Sequence, residues 1–353
     1  MKKAENIIVG ISIGDLNGIG GEVILKTFED SRMLEFCTPV IFANVKALSF
    51  IKKTFDSTAP LHGIDHLNQL LPGKINVFNV WKEGFEINFG VNDDEIGKYA
   101  IKSFVAATQA LKEGLVDVLV TAPINKYNIQ SEEFKFPGHT DYLDKELKGN
   151  ALMLMVQDNF RIGLRTDHIP VNEVAKHLTP ALIIQKIETI NKALIQDFSI
   201  NKPKIAVLGL NPHSGDNGVI GKEELEIIQR TIKALFDKGT MVFGPFSADG
   251  FFGSNQQEKY DAIIATYHDQ GLIPFKTLAF GKGVNYTAGL NKIRTSPDHG
   301  TAYDIAGKGI AEHNSFKEAV YLAIDIFKSR NLYQEISANP MKIKEKQLEK
   351  NNR

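Results

Sequence analysis

Short apolar runs alternate along this chain with longer stretches in which apolar residues recur every three or four positions. The runs at 7–13, 40–43, 75–80, 116–120, 160–164, 205–210 and 262–265 read as buried strands. Ile101, Phe104, Val105, Thr108 and Leu111 keep helical spacing, as do Ile183, Ile187, Ile190 and Leu194 across 180–198. A helix is expected over 223–238 with a stop at Gly239, and 319–327 lies in a last helix. Nearly continuous apolar strands alternating with helices predict an α/β protein, with mostly parallel sheets covered by helices. The helix 180–198, followed by Asn201-Lys-Pro203, is the expected crossing between two lobes.

Length agrees with two lobes, because 353 residues is more than one core usually serves. Residues 1–340 are expected to form one catalytic unit of two interleaved α/β lobes with a cleft between them. The charged segment 341–353 is expected to be a mobile tail. The formal net charge of -1 gives no pull toward nucleic acid or an anionic membrane. No apolar run approaches membrane-spanning length, and residues 1–6 lack a signal-peptide pattern, so a cytoplasmic protein is expected. The single cysteine, Cys37, reads as a buried bystander. Gly14, Gly18, Gly20 and Gly21 follow a strand without the Gly-x-Gly-x-x-Gly spacing, so a tight turn is favoured there over a dinucleotide loop.

Three of the nine histidines sit just past apolar strands among small and polar residues. They are His168 in Arg165-Thr-Asp-His-Ile-Pro, His213 in Gly209-Leu-Asn-Pro-His-Ser-Gly, and His268 in Thr266-Tyr-His-Asp-Gln-Gly. Brought together they would form an open metal site able to polarise a hydroxyl or a water. Taken separately, each is an ordinary surface or core histidine. His139 and Thr140 follow Pro137-Gly138, with Thr140 placed as a helix N-cap at an anion-binding helix start. Lys276, Asn285 and Arg294 follow His268, and cations of this kind suit phosphate or carboxylate.

The runs Val120-Thr-Ala-Pro-Ile-Asn-Lys126, Phe136-Pro-Gly-His-Thr-Asp141, Gly209-Leu-Asn-Pro-His-Ser-Gly215, Tyr267-His-Asp-Gln-Gly271 and Arg294-Thr-Ser-Pro-Asp-His-Gly-Thr-Ala302 closely resemble the 4-hydroxythreonine-4-phosphate dehydrogenase family of pyridoxal phosphate biosynthesis. The resemblance covers roughly residues 7–330. It implies a two-lobed fold like the isocitrate and isopropylmalate dehydrogenases, and a homodimer with a shared active site. It implies one divalent metal ion (Zn, Mg, Mn or Co) on His168, His213 and His268, one of them from the partner subunit; His268 is expected to be that one. His139, Thr140, Lys276, Asn285 and Arg294 would contact the phosphorylated hydroxy amino acid, with NAD or NADP alongside in the lobe of 285–302. Asp249 is a candidate for handling the proton, with the general base otherwise open.

Two departures stand out. The family's first motif usually reads Gly-Glu/Asp-Pro-x-Gly-Ile-Gly-Pro-Glu; here Gly14-Asp-Leu-Asn-Gly-Ile-Gly-Gly-Glu22 lacks both prolines. Asp167 replaces a typical threonine before His168. Rival readings are the same chemistry on another phosphorylated hydroxy acid, such as 4-phospho-D-threonate, or a metal-dependent hydrolase.

Overall fold

The structure, a computed structural model, describes residues 6–132 and 134–340. The expected tail at 341–353 lies outside the described residues. Twelve strands form one sheet: β1 Ile7–Ser12, β2 Cys37–Ala43, β3 Leu61–Ile64, β4 Ile75–Asn79, β5 Val118–Thr121, β6 Gly149–Gln157, β7 Phe160–Leu164, β8 Ile205–Leu208, β9 Val242–Phe246, β10 Ala262–Ala265, β11 Val284–Leu290 and β12 Arg294–Pro297. Their spatial order is β3-β4-β2-β1-β5-β12-β11-β6-β7-β10-β8-β9.

Two parallel halves flank a central antiparallel region. β1, β2, β3, β4, β5 and β12 pair in parallel on one side, and β7, β8, β9 and β10 on the other. β11 pairs antiparallel with β12 and β6, and β6 with β7. The parallel strands are apolar on both faces because helices cover both, as in β2 and β8, where every residue is buried. The α/β expectation with a mostly parallel sheet holds.

The expected crossing does not. Helix Pro180–Gln196 joins β7 to β8, which lie in the same half with β10 between them. The chain passes between halves elsewhere: from helix His139–Glu146 into β6, and back from helix His268–Ala279 into β11. Helix Pro180–Gln196 itself forms for the predicted reason. Thr179 caps it by accepting from the Leu182 N–H, Pro180 opens it, and Ile183, Ile187, Ile190 and Leu194 are buried. Helix Asp94–Glu113 begins earlier than its apolar periodicity indicated, with Asp93 as cap and Gly114 in the left-handed conformation at its end.

The glycine-rich start is a tight turn. Gly14 has φ +72°, and a Cβ there would sit 2.3 Å from the Pro123 carbonyl oxygen. The Ile19 N–H donates to the Thr301 carbonyl (3.0 Å). Asp15 is fully buried in the turn and accepts from Asn128 Nδ2 (2.8 Å) and the Tyr303 hydroxyl (2.6 Å). A buried carboxylate at this place disfavours a pyrophosphate. Cys37 is fully buried and its thiol is pushed up to about 12 by desolvation. No described helix is long and apolar enough to cross a membrane.

Candidate active site

A cavity of about 620 Å³ opens between the two halves of the sheet. Seven of the nine residues singled out in the sequence line it: His139, Thr140, His168, His268, Lys276, Asn285 and Arg294. Met153 and Met155 of central strand β6 form part of its wall. The remaining two, His213 and Asp249, are not among the residues that line it.

Arg294 opens β12 and is 2% exposed. Its Nη2 donates to Thr121 Oγ1 (2.6 Å), Nε to the same oxygen (3.1 Å), and Nη1 to Thr287 Oγ1 (3.2 Å). All are neutral acceptors. Among the described residues no carboxylate pairs with it, and burial pushes its pKa down to about 9. A buried cation without a counter-ion is expensive, and an incoming anion relieves the cost.

The groups around it complete an anion cradle. Arg294 Nη2 also donates to His139 Nδ1 (3.1 Å), which places the His139 proton on Nε2. That Nε2 is buried without a partner, as is Asn285 Oδ1. Burial first, then Arg294 and Lys126, hold the His139 pKa well below its ordinary value, so the ring stays neutral. Gly138, not Thr140, stands at the N-cap of helix His139–Glu146; Thr140 lies in the first turn with its side chain on the cavity wall. Lys276 is exposed at the rim and donates to the Asp298 carbonyl (2.9 Å).

His168 and His268 stand beside each other in the same chain, ring centroids 5.7 Å apart. Burial and the nearby Lys126 lower the His168 pKa, favouring the neutral, ligand-competent imidazole. Lys126 Nζ lies 3.4 Å from His168 Nε2. His268 Nδ1 is held by Asp269 Oδ1 (2.7 Å), which leaves Nε2 free, the arrangement second-sphere carboxylates give to metal-binding histidines. Among the described residues no three metal-binding side chains come together. His213 stands apart near Asp249, whose carboxyl is held below its ordinary range by the Ser247 hydroxyl, the Gly250 N–H and His213. The expected division, with His168 and His213 on one chain and His268 on the other, therefore differs from the pairing of His168 with His268 seen here.

The model of a family described as pyridoxal phosphate biosynthetic protein PdxA matches residues 35–323. The chain belongs to the PdxA family. The 4-hydroxythreonine-4-phosphate dehydrogenase of Bacteroides thetaiotaomicron is 48% identical over 338 residues, covering 95% of this chain and 93% of that protein. Its counterpart from a Sulfurihydrogenibium species is 41% identical over 90% of this chain and 97% of its own length. The crystal structure of the 4-hydroxythreonine-4-phosphate dehydrogenase of Klebsiella pneumoniae superposes with a TM-score of 0.78 at 32% identity, covering 92% of this chain and 99% of that one. A terephthalate 1,2-cis-dihydrodiol dehydrogenase from Burkholderia xenovorans shares the fold, with a TM-score of 0.60 at 23% identity, covering 91% and 98%.

Within this PdxA-family cavity, three polar groups had no role assigned from the sequence. Thr121 and Thr287 hold Arg294, and Lys126 faces His168. A threonine closing an apolar strand, as in Val120-Thr-Ala-Pro, was the available signal for Thr121.

Proposed function

We propose that this chain oxidises 4-phosphohydroxy-L-threonine to 2-amino-3-oxo-4-phosphooxybutanoate, using NAD or NADP and one divalent metal ion (Zn, Mg, Mn or Co). The product then loses carbon dioxide to give 3-amino-2-oxopropyl phosphate, a step of pyridoxal phosphate biosynthesis. The observation that carries this reading is Arg294, a buried guanidinium with only neutral partners, beside the unpartnered His139 Nε2–H donor; the unpartnered Asn285 Oδ1 would accept from a substrate hydroxyl or ammonium. Arg294, His139 and Lys276 would hold the anionic groups, while Thr140 and Asn285 fix their orientation. A bound divalent ion supplies Lewis-acid polarisation of the substrate hydroxyl, and the nicotinamide supplies the hydride acceptor. The C3 hydrogen leaves as hydride and the hydroxyl proton goes to a base. Decarboxylation follows because the new ketone takes the electron pair of the breaking C–C bond.

His168, whose lowered pKa favours the neutral ring, and His268 beside it fit a metal ion in this chain, and His213 of a second copy would complete the set. Exposed apolar side chains follow each histidine closely: Val171 (76% exposed), Val219 (82%) and Ile273 (64%). Such side chains beside a functional site favour a covering partner, so a homodimer with shared sites is the proposed assembly. His213 would bring Asp249 with it, and that carboxylate, held ionised, is the proposed proton acceptor.

Reduced-cofactor absorbance with 4-phosphohydroxy-L-threonine and 4-phospho-D-threonate, with NAD and NADP, tests the reaction. No cofactor reduction with any combination would refute it. Mixed dimers test the sharing. Co-expressed His213→Ala and His268→Ala chains would form one intact site per mixed dimer. About half the dimers are mixed on random pairing, so roughly a quarter of wild-type activity should return. Co-expressed His168→Ala and His268→Ala should restore nothing, because both lesions fall on the same contributing chain. Recovery in the second mixture would put His268 on the partner instead.

A further inference from the structure

The segments that carry His168, His213 and His268 meet in a buried polar knot that touches none of the proposed ligands. Arg165, three residues before His168, is 2% exposed. Its Nη2 donates to Thr266 Oγ1 (2.6 Å) and to the Leu208 carbonyl. Thr266, two residues before His268, is fully buried, and its hydroxyl lies 3.1 Å from the carbonyl oxygens of both Leu208 and Gly209. Gln270 closes the link from the other side: Nε2 donates to Gly209 O (2.7 Å) and Oε1 accepts from the Thr266 N–H (2.6 Å).

The loop that bears His213 is held by a second charge. Glu224, 2% exposed, accepts from the backbone N–H groups of Leu210 and Asn211 (2.7 Å each) and from Asn211 Nδ2 (2.9 Å). Gly209 and Gly215 make room for this carboxylate: a Cβ would fall 3.1 Å and 2.7 Å from its oxygens. The loop needs such a hold. His213, Ser214, Gly215, Asp216 and Asn217 are all left-handed, with φ between 42° and 80°. For the four with side chains that conformation is intrinsically unfavourable.

Glu224 holds a strained loop by satisfying its N–H groups, but Arg165 is not explained by stability. Arg165 Nε and Nη1 are buried without partners, and among the described residues no carboxylate pairs with it. An apolar residue of similar volume would fill the site at lower cost. We propose that Arg165 and Glu224 are positioning residues: they fix His168 and His268 as a pair, and the loop that presents His213 to the pair of a second copy, so that three imidazoles can converge on a metal ion across the dimer. This rests on the metal reading of the proposed function. The role is geometric: each ligand hangs two or three residues from a member of the knot, and metal sites tolerate only about half an ångström of misplacement.

The test is Co(II) titration of the metal-stripped full chain, read by visible absorption and by competition with a chelator. Arg165→Met and Glu224→Gln should each weaken Co(II) binding about 10–100-fold and alter the absorption band. Arg165→Lys should rescue poorly, because an ammonium cannot span Thr266 and Leu208 as the fork does. Ile51→Ala, a core cavity on helix Val45–Thr54 in the other half of the sheet, should lower the melting temperature and leave Co(II) affinity unchanged. If Arg165→Met does not fold, Thr266→Val carries the same expectation through the same bond. Wild-type affinity and spectrum in Arg165→Met or Thr266→Val together with Glu224→Gln would overturn this inference alone. A wild-type chain that binds no Co(II), indistinguishable from His168→Ala, would overturn the metal reading and this inference with it.

Discussion

Replacing Arg294 with methionine should leave the empty protein no less stable and weaken its hold on an anion. A guanidinium ordinarily titrates above pH 12. Burial brings Arg294 down to about 9. Each tenfold loss of proton affinity is about 1.4 kcal/mol, so holding the charge costs the folded state roughly 4–5 kcal/mol. Its four hydrogen bonds, two to Thr121 and one each to Thr287 and His139, return about 1 kcal/mol each, about 4 kcal/mol together. Methionine, of similar reach and no charge, should therefore leave stability unchanged or raise it by up to about 1 kcal/mol. Unfolding entropy scales to about 0.7 kcal/mol per degree for a chain this long, so the melting temperature should hold or rise by at most about 1–1.5 °C. The sign with pH follows from a cation whose folded pKa is depressed: the penalty is full below pH 9 and fades above it. Any advantage of the variant should be flat between pH 6 and 8 and shrink in stronger base. Binding moves the other way. Loss of a charge-assisted contact of about 1.5–3 kcal/mol should raise the Kd for a phosphorylated ligand about 10–150-fold. Thermal shift with and without saturating inorganic phosphate or substrate measures both. A variant that melts several degrees lower without ligand, and is still protected by phosphate as wild type is, would refute the reading of Arg294 as an anion receptor.

Other consequences are simpler to check. His139 has a folded pKa held below its unfolded value by burial, Arg294 and Lys126, so it should cost stability as pH falls below about 6.5; His139→Gln should flatten that acid slope in pH-dependent melts. Arg330→Ala should lower the melting temperature by about 4–7 °C, because it strips the buried Asp197 carboxylate of its cation (Nε to Oδ1, 2.5 Å) and leaves it only the Tyr286 hydroxyl, a loss of about 3–5 kcal/mol. Cys37 should resist thiol reagents in the native state at pH 8 and react at once in denaturant, since burial leaves almost no thiolate.

What the sequence disclosed follows from which elements bury only apolar side chains. β8 and β10 are Ile-Ala-Val-Leu and Ala-Ile-Ile-Ala, buried at every position, and that unbroken apolarity marks them as strands covered on both faces. Helix Pro180–Gln196 announces itself by a cap, a proline and four isoleucine or leucine positions on one face. β12 is equally buried but reads Arg-Thr-Ser-Pro, which no hydrophobic pattern marks as a strand. It is polar because it carries the site: Arg294 is aimed at the cavity, and Thr295 is tied to the Ala319 carbonyl of the last helix (2.7 Å). β11, Val-Asn-Tyr-Thr-Ala-Gly-Leu, is disguised in the same way, with Asn285 on the cavity and Thr287 beneath Arg294.

The same logic separates the residues that were found from the arrangement that was not. Seven of the candidates are on one cavity because strand ends and the central strands deliver them there, and motif-level chemistry pointed at each. Their pairing depended on long-range topology. The crossing was expected at the helix 180–198, whereas helix His139–Glu146 and helix His268–Ala279 make it. Both of those helices begin with a site histidine, so the connections that exchange the chain between halves also place His139 and His268 at the cleft. The two passages between halves and the two histidines are thus one structural decision. Moving either helix start by a turn, about 5.4 Å, would shift the chemistry and the chain path together.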